Sequence, residues 1–266
     1  MPFTENQGAR IFWREFGGGE PLLLIQGLGY SSDMWLHIEP GLARHFRVIV
    51  FDNRGIGQSE APPGPIRIPD MAGDAARVLD AVGVDSAFVF GLSMGGLIAQ
   101  ELALSHARRV RALILAATTC GGEHAVPAKQ VVQDTLVSRA GLPPEASIRA
   151  MFPFIYDETT PEDRLERDVQ MRLAHYPDPD VYLRQLEGIR RWRGCDRLGA
   201  IDLPAMILHG ENDQLVPPAN AHLLARHIEG SLLHMLPAAS HVVTTDAPDE
   251  VVRLVVEFLK ESSAAG

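Results

Sequence analysis

Phe88-Val89-Phe90-Gly91-Leu92-Ser93-Met94-Gly95-Gly96 runs from an apolar strand, through a serine set among small residues, into a helical pattern. Gly91 and Gly95 complete a G-x-S-x-G around Ser93. Small residues on both sides let the chain turn sharply and leave the serine exposed at the turn, the geometry of a nucleophile elbow. The bare pattern also occurs in ordinary turns and helix caps, so its context decides. Residues 87–90 form a short apolar run, and residues 97–104 repeat apolar side chains at helical spacing. The helix begins just behind Ser93, so its free N–H groups and positive dipole end face the place where negative charge grows during attack.

Outward from the elbow, strands alternate with helices. Residues 10–15, 21–25, 47–52, 87–90 and 110–116 predict strands, residues 70–82 an amphipathic helix and residues 97–105 the helix after the elbow. Near-continuous apolar strands suit the inside of a mostly parallel sheet with helices on both faces, which is α/β winding. Over 121–199 the alternation gives way to a polar, helical stretch with Pro127, Pro143, Pro144, Pro153, Pro161, Pro177 and Pro179 at its corners. It reads as an inserted helical cap between residues 1–120 and 200–266, the two parts of one core. Strand character returns at 205–209 and 232–236, each followed by a polar loop; 250–261 predicts a closing helix, with 262–266 expected to fray.

Composition narrows the function classes. The 266 residues are 46% hydrophobic, enough for one large core, and the formal net charge of −10 repels nucleic-acid backbones. The first 20 residues contain Glu5, Arg10, Arg14, Glu15 and Glu20, so neither a signal peptide nor a membrane span is read there, and the expected location is cytoplasmic. Cys120 and Cys195 are the only cysteines and are expected as reduced thiols in that compartment. The ten histidines form no H-E-x-x-H and the cysteines no zinc spacing, so no metal site is expected.

A serine hydroxyl is a poor nucleophile at neutral pH and needs a base, which in turn needs an orienting acid. His209-Gly210-Glu211-Asn212-Asp213 follows one predicted strand and Ser240-His241 follows the last. Ser93, Asp213 and His241 therefore stand in the chain order Ser, acid, His, each just after a strand. Glu211 is the rival acid but lies closer to the strand end. The oxyanion needs two donors: the Met94 N–H directly after the serine, and the Leu28 N–H in Gln26-Gly27-Leu28-Gly29-Tyr30, where two glycines let backbone approach a ligand.

With these residues in hand, the chain resembles an α/β-hydrolase over nearly its whole length. It is most similar to the 3-oxoadipate enol-lactonases and related small bacterial carboxylesterases. The likeness is carried by Phe51-Asp52-Asn53-Arg54-Gly55-Ile56-Gly57-Gln58-Ser59, Gly91-Leu92-Ser93-Met94-Gly95-Gly96, His209-Gly210-Glu211-Asn212-Asp213 and Ala239-Ser240-His241. The resemblance implies hydrolysis of a small ester or lactone through an acyl-enzyme, without a cofactor, and a structural part for 52–59, with Asp52 and Arg54 tying that loop together. Many relatives have His-Gly where this chain has Gln26-Gly27; that histidine braces the oxyanion loop, and Gln26 is the candidate replacement through its amide. Specificity is expected in the cap, with Met151, Phe152, Phe154, Tyr156 and Trp192 as candidate walls and Tyr30 beside the oxyanion loop. Arg190, Arg191, Arg193 and Arg197 are either a carboxylate site or a solvated helix face paired with neighbours such as Glu187. The same scaffold also serves C–C bond hydrolases, cofactor-free perhydrolases and small-ligand receptors, whereas a serine nucleophile argues against haloalkane dehalogenases, which use aspartate.

Overall fold

A computed structural model describes residues 2–264. Its eight strands are β1 (Phe3–Asn6), β2 (Ala9–Gly17), β3 (Pro21–Ile25), β4 (Arg47–Phe51), β5 (Ala87–Leu92), β6 (Val110–Ala116), β7 (Ala205–Gly210) and β8 (Leu232–Leu236). They lie in one sheet in the order β1-β2-β4-β3-β5-β6-β7-β8, antiparallel at β1–β2 and β2–β4 and parallel from β4 to β8. Side chains alternate across a strand, so Leu22 and Leu24 enter one core while Leu23 and Ile25 enter the other. All four are fully buried, which is why β3 reads as a continuous apolar run.

Among the described residues eleven helices accompany the sheet: α1 (Glu39–Leu42), α2 (Ile68–Ala81), α3 (Met94–Ser105), α4 (Gln130–Ser138), α5 (Pro144–Arg149), α6 (Phe152–Ile155), α7 (Glu162–Ala174), α8 (Pro179–Arg191), α9 (Ala219–His227), α10 (Val243–Asp246) and α11 (Pro248–Ala264). Proline in its first turn starts α2, and Gly83, at φ +69°, follows its C-cap. Between them Met71, Ala75, Val78 and Leu79 bury one stripe against the sheet. On the opposite face α11 packs Val251, Val255, Phe258 and Leu259 with Trp35 and Phe90. Helices α4 to α8 all fall between β6 and β7. Among the described residues no helix is long and apolar enough to cross a membrane.

Several elements differ from the sequence reading. β1 is a short, half-exposed edge strand without an alternating pattern, and α9 sits in the stretch read as a polar loop after β7. α11 runs on through Ser262 and Ser263, whose hydroxyls return to the carbonyls of Phe258 and Leu259, rather than fraying there; residues 265 and 266 lie outside the described residues. Arg54 does not pair with Asp52. Its guanidinium forms a buried bidentate bridge to Asp74 on α2 at 2.7 and 2.6 Å, while Asp52 accepts from the Ser32 and Gln58 amides at 2.7 and 2.9 Å. Cys120 and Cys195 are joined in a disulfide, not two free thiols: a bridge between Gly121 and Arg193 lays the two segments side by side, with the cysteine Cα atoms 4.8 Å apart.

Candidate active site

Ser93 sits where β5 ends and α3 begins, at φ +57° and ψ −118°. L-residues rarely adopt that conformation, and packing holds it here. A Cβ on Gly91 would overlap the Gly95 carbonyl, and one on Gly95 would overlap the Ile25 carbonyl, so the elbow closes only with glycine at both positions. The Ser93 amide donates to the Ala116 carbonyl at 2.9 Å, and its own carbonyl accepts from Thr118 Oγ1 at 2.7 Å.

Three side chains from separate loops meet here. His241 Nε2 lies 2.9 Å from Ser93 Oγ, and His241 Nδ1 lies 2.8 Å from Asp213 Oδ2. The other oxygen of Asp213 accepts from the Leu215 and Val216 amides at 2.9 and 2.8 Å. Burial pushes this carboxyl up, but the charge of His241 and hydrogen bonds from His209 and His241 outweigh that and hold it below the usual carboxylate value. An ionised carboxylate only accepts, so Nδ1 of His241 carries the proton and Nε2 presents a lone pair to the serine hydroxyl. Glu211 is exposed and makes no side-chain bond to His241.

The loop after β3 faces the same serine: a Cβ on Gly27 would stand 3.7 Å from Ser93 Oγ. Neither the Leu28 nor the Met94 amide donates to a protein acceptor among the described residues. Gln26 does not reach across to brace the loop. Its Oε1 folds back onto the Gly27 amide at 3.0 Å and its Nε2 is buried without a partner. From the core side, Asn53 Nδ2 donates to the Gln26 carbonyl at 2.8 Å.

Ser93 and His241 open into a cavity of about 330 Å³. Tyr30, Met151 and Arg190 line it. Phe154 and Trp192 do not. Phe154 packs in a small cluster with Val132, Ile155 and Val242, while the Trp192 indole is buried and donates to Glu101 Oε2 at 2.8 Å. Phe152 and Tyr156 also turn away, stacked edge to face at 4.9 Å with the tyrosine hydroxyl on Asp168. Arg190 is exposed at the rim, Arg191 pairs with Glu187 on its own helix and Arg197 pairs with Glu101. Sequence reading missed Arg139, Leu136, Tyr182, Leu186, Ile189 and Val126 on the wall.

Asp246 steadies the segment that carries His241. It accepts from the Ser240 amide at 2.7 Å and from Thr160 Oγ1 at 2.6 Å, and burial pushes its carboxyl from 3.8 up to about 6. A raised carboxyl favours the fold at low pH, a contribution lost as pH rises through the folded value. Asp246→Asn keeps both bonds, with its oxygen on the Ser240 amide and its NH2 on the Thr160 hydroxyl, and removes the ionisation. The variant is therefore expected to gain stability on the parent between pH 4.5 and 7.5, by at most about 3 kcal/mol. Paired thermal melts across that range check it; a gap that shrinks with rising pH contradicts it.

The alpha/beta hydrolase fold family matches residues 20–248, and the chain belongs to that family. A relative from Azorhizobium caulinodans with the provisional name carbamate hydrolase RutD is 31% identical over 264 residues, 98% of this chain and 99% of the relative. Among solved structures, the enol-lactonase of Burkholderia xenovorans LB400 is 28% identical with a TM-score of 0.84, covering 97% of this chain and 100% of its own. A thermophilic esterase from Thermogutta terrifontis is likewise 28% identical with a TM-score of 0.84, over 98% and 97% of the two chains. The chain is accordingly a hydrolase.

Proposed function

We propose that this hydrolase cleaves a small carboxylic ester or lactone through an acyl-enzyme on Ser93. The carrying observation is the unbroken run from Ser93 Oγ through His241 to Asp213, 2.9 and 2.8 Å, at a cavity wall. Ser93 Oγ attacks the carbonyl carbon as its proton passes to His241 Nε2. The oxyanion takes hydrogen bonds from the Leu28 and Met94 amides. Collapse breaks the C–O bond and the imidazolium protonates the leaving oxygen; water then repeats the sequence and frees the acid. Asp213 orients the imidazole and stabilises its charge. Residues 121–199 act as the cap that walls the acyl group, and no cofactor enters.

The cavity wall supports a narrower substrate class. Arg139 is buried, lines the cavity and pairs with no carboxylate among the described residues; its Nε donates to Ser147 Oγ at 3.2 Å and its guanidinium lies 5.1 Å from the Tyr182 ring centre. A buried cation without a counter-charge is costly, and a substrate carboxylate supplies one. The rest of the wall, with Leu136, Met151, Leu186 and Ile189, suits a short apolar body. The reading is a lactone or half-ester bearing a free carboxylate, as an enol-lactone does.

The test is a panel of p-nitrophenyl esters of graded acyl length, neutral or ending in a free carboxylate. Many turnovers are expected, with the acyl mass on Ser93 after acid quench wherever deacylation is the slower step; hydrolysis that continues at the parent rate after Ser93 is fully labelled by a fluorophosphonate would refute the acyl-enzyme. Arg139→Met is expected to raise KM roughly tenfold to hundredfold for the anionic esters, the range of one charge-assisted hydrogen bond, and to leave neutral esters near the parent. Equal change for both classes removes Arg139 from substrate recognition.

A further inference from the structure

We infer that Gln185, on α8, is a positioning residue that holds the oxyanion loop from outside the core. The inference rests on the serine-hydrolase reading above. Gln185 is fully buried and both ends of its amide are used. Oε1 accepts from the Gly29 amide at 3.1 Å and Nε2 donates to the Arg54 carbonyl at 3.1 Å. One side chain thus joins the loop after β3 to the loop after β4, one residue beyond the Leu28 amide that receives the oxyanion.

The core holds the two ends of that loop, Asn53 at the Gln26 carbonyl and Asp52 at the Ser32 amide, and leaves the Gly29 amide between them to α8. The Gln26 side chain is spent on its own neighbour. After Leu28 the chain turns at Gly29, φ +72°; a long bond from the Tyr30 amide to the Gly27 carbonyl, 3.4 Å, closes the turn from within, and the Gly29 peptide still needs a partner from outside to be held in one orientation. Gln185 Oε1 is that partner. The helix behind it is firmly seated: Arg184 donates to the Gly64 and Pro62 carbonyls at 2.7 and 2.5 Å, and a Cβ on Gly188 would overlap the Ile66 carbonyl. A Cβ on Gly29 would stand 3.2 Å from the Tyr182 ring, so the helix also covers the loop sterically.

Leu186 and Ile189, on the same helix, line the substrate cavity. The element that contacts the acyl group therefore also sets the geometry of an oxyanion donor. Preorganised donors act mainly on the transition state, so their misplacement lowers kcat rather than raising KM.

Gln185→Met keeps length and burial and removes both hydrogen bonds. For a p-nitrophenyl ester the expected result is a kcat lower by about tenfold to hundredfold, less than outright loss of an oxyanion donor, with KM within about threefold. Affinity for an aryl trifluoromethyl ketone, whose adduct with Ser93 places an alkoxide on the donors, should fall by the same factor; affinity for the matching unreactive ether should not change. Parent-like kcat and ketone affinity, or a rise confined to KM, overturns the inference. Amide exchange of the parent gives a measurement that needs no variant: slow exchange at Gly29 is expected, and exchange at the free-peptide rate overturns the inference even where the Met variant does not fold. Fluorophosphonate labelling of the parent separates the two readings, because an unlabelled Ser93 removes the serine mechanism itself and the Gln185 inference with it.

Discussion

Ser93→Ala is expected to lower kcat/KM for p-nitrophenyl esters by about 10⁵-fold, or about 7 kcal/mol of transition-state stabilisation. The size follows from what remains. The cavity, the two unpartnered amides and the imidazole all stay in place, so water attack still finds an oxyanion site, but no covalent intermediate forms. KM should stay close to the parent, because the lost oxygen contributes little to ground-state contacts with an apolar wall. Stability should barely move: Ser93 already occupies φ +57°, and alanine inherits the same backbone cost. Loss of activity with an unchanged melt is thus the result that assigns the chemistry to Oγ. Turnover equal to the parent, with every preparation checked for contaminating esterase, removes Ser93 from the mechanism.

How much of this was legible in the sequence depended on the range over which each residue's role is set. The strand at 21–25 and the turn at 91–95 are decided by immediate neighbours, through a continuous apolar run and through glycines that close approach demands. The structure places both where the pattern puts them. Ser93, Asp213 and His241 could be picked out singly because a parallel sheet presents the ends of its strands on one edge, so post-strand loops meet there whatever their separation in sequence. The cavity wall had no such rule. Arg139 lies in a 3₁₀ turn after α4 and Gln185 lies inside an amphipathic helix; neither pattern says which side chain faces a cavity and which faces a loop. Phe154 and Trp192 mislead for the same reason: large apolar side chains in that region pack on one another as readily as on a substrate. Cys120 and Cys195, 75 residues apart, meet only because two loops pair, which spacing cannot reveal.

Asp213→Asn is the second large effect, an expected loss of about 10⁴-fold in kcat with KM nearly unchanged, and its cause is a tautomer rather than a missing contact. In the parent, Asp213 Oδ1 accepts from two backbone amides, Leu215 and Val216, and Oδ2 faces His241 Nδ1. An asparagine has one acceptor oxygen, and the two amides claim it. Its NH2 group is then turned to His241, where it must meet a lone pair on Nδ1, so the ring proton moves to Nε2 and the serine loses its base. The neighbouring His209 reinforces this cost: its Nε2 donates to the Val216 carbonyl at 2.8 Å and lies 3.3 Å from Asp213 Oδ2, so an NH2 there faces a second N–H. Asp213→Asn should therefore fold and bind substrate while turning over slowly. Glu211→Gln, changing an exposed side chain two residues away, should stay within about twofold of the parent, the range of a surface substitution. A large loss in the Glu211 variant, with Asp213→Asn near normal, would move the orienting acid to Glu211 and require the loop after β7 to rearrange on substrate binding.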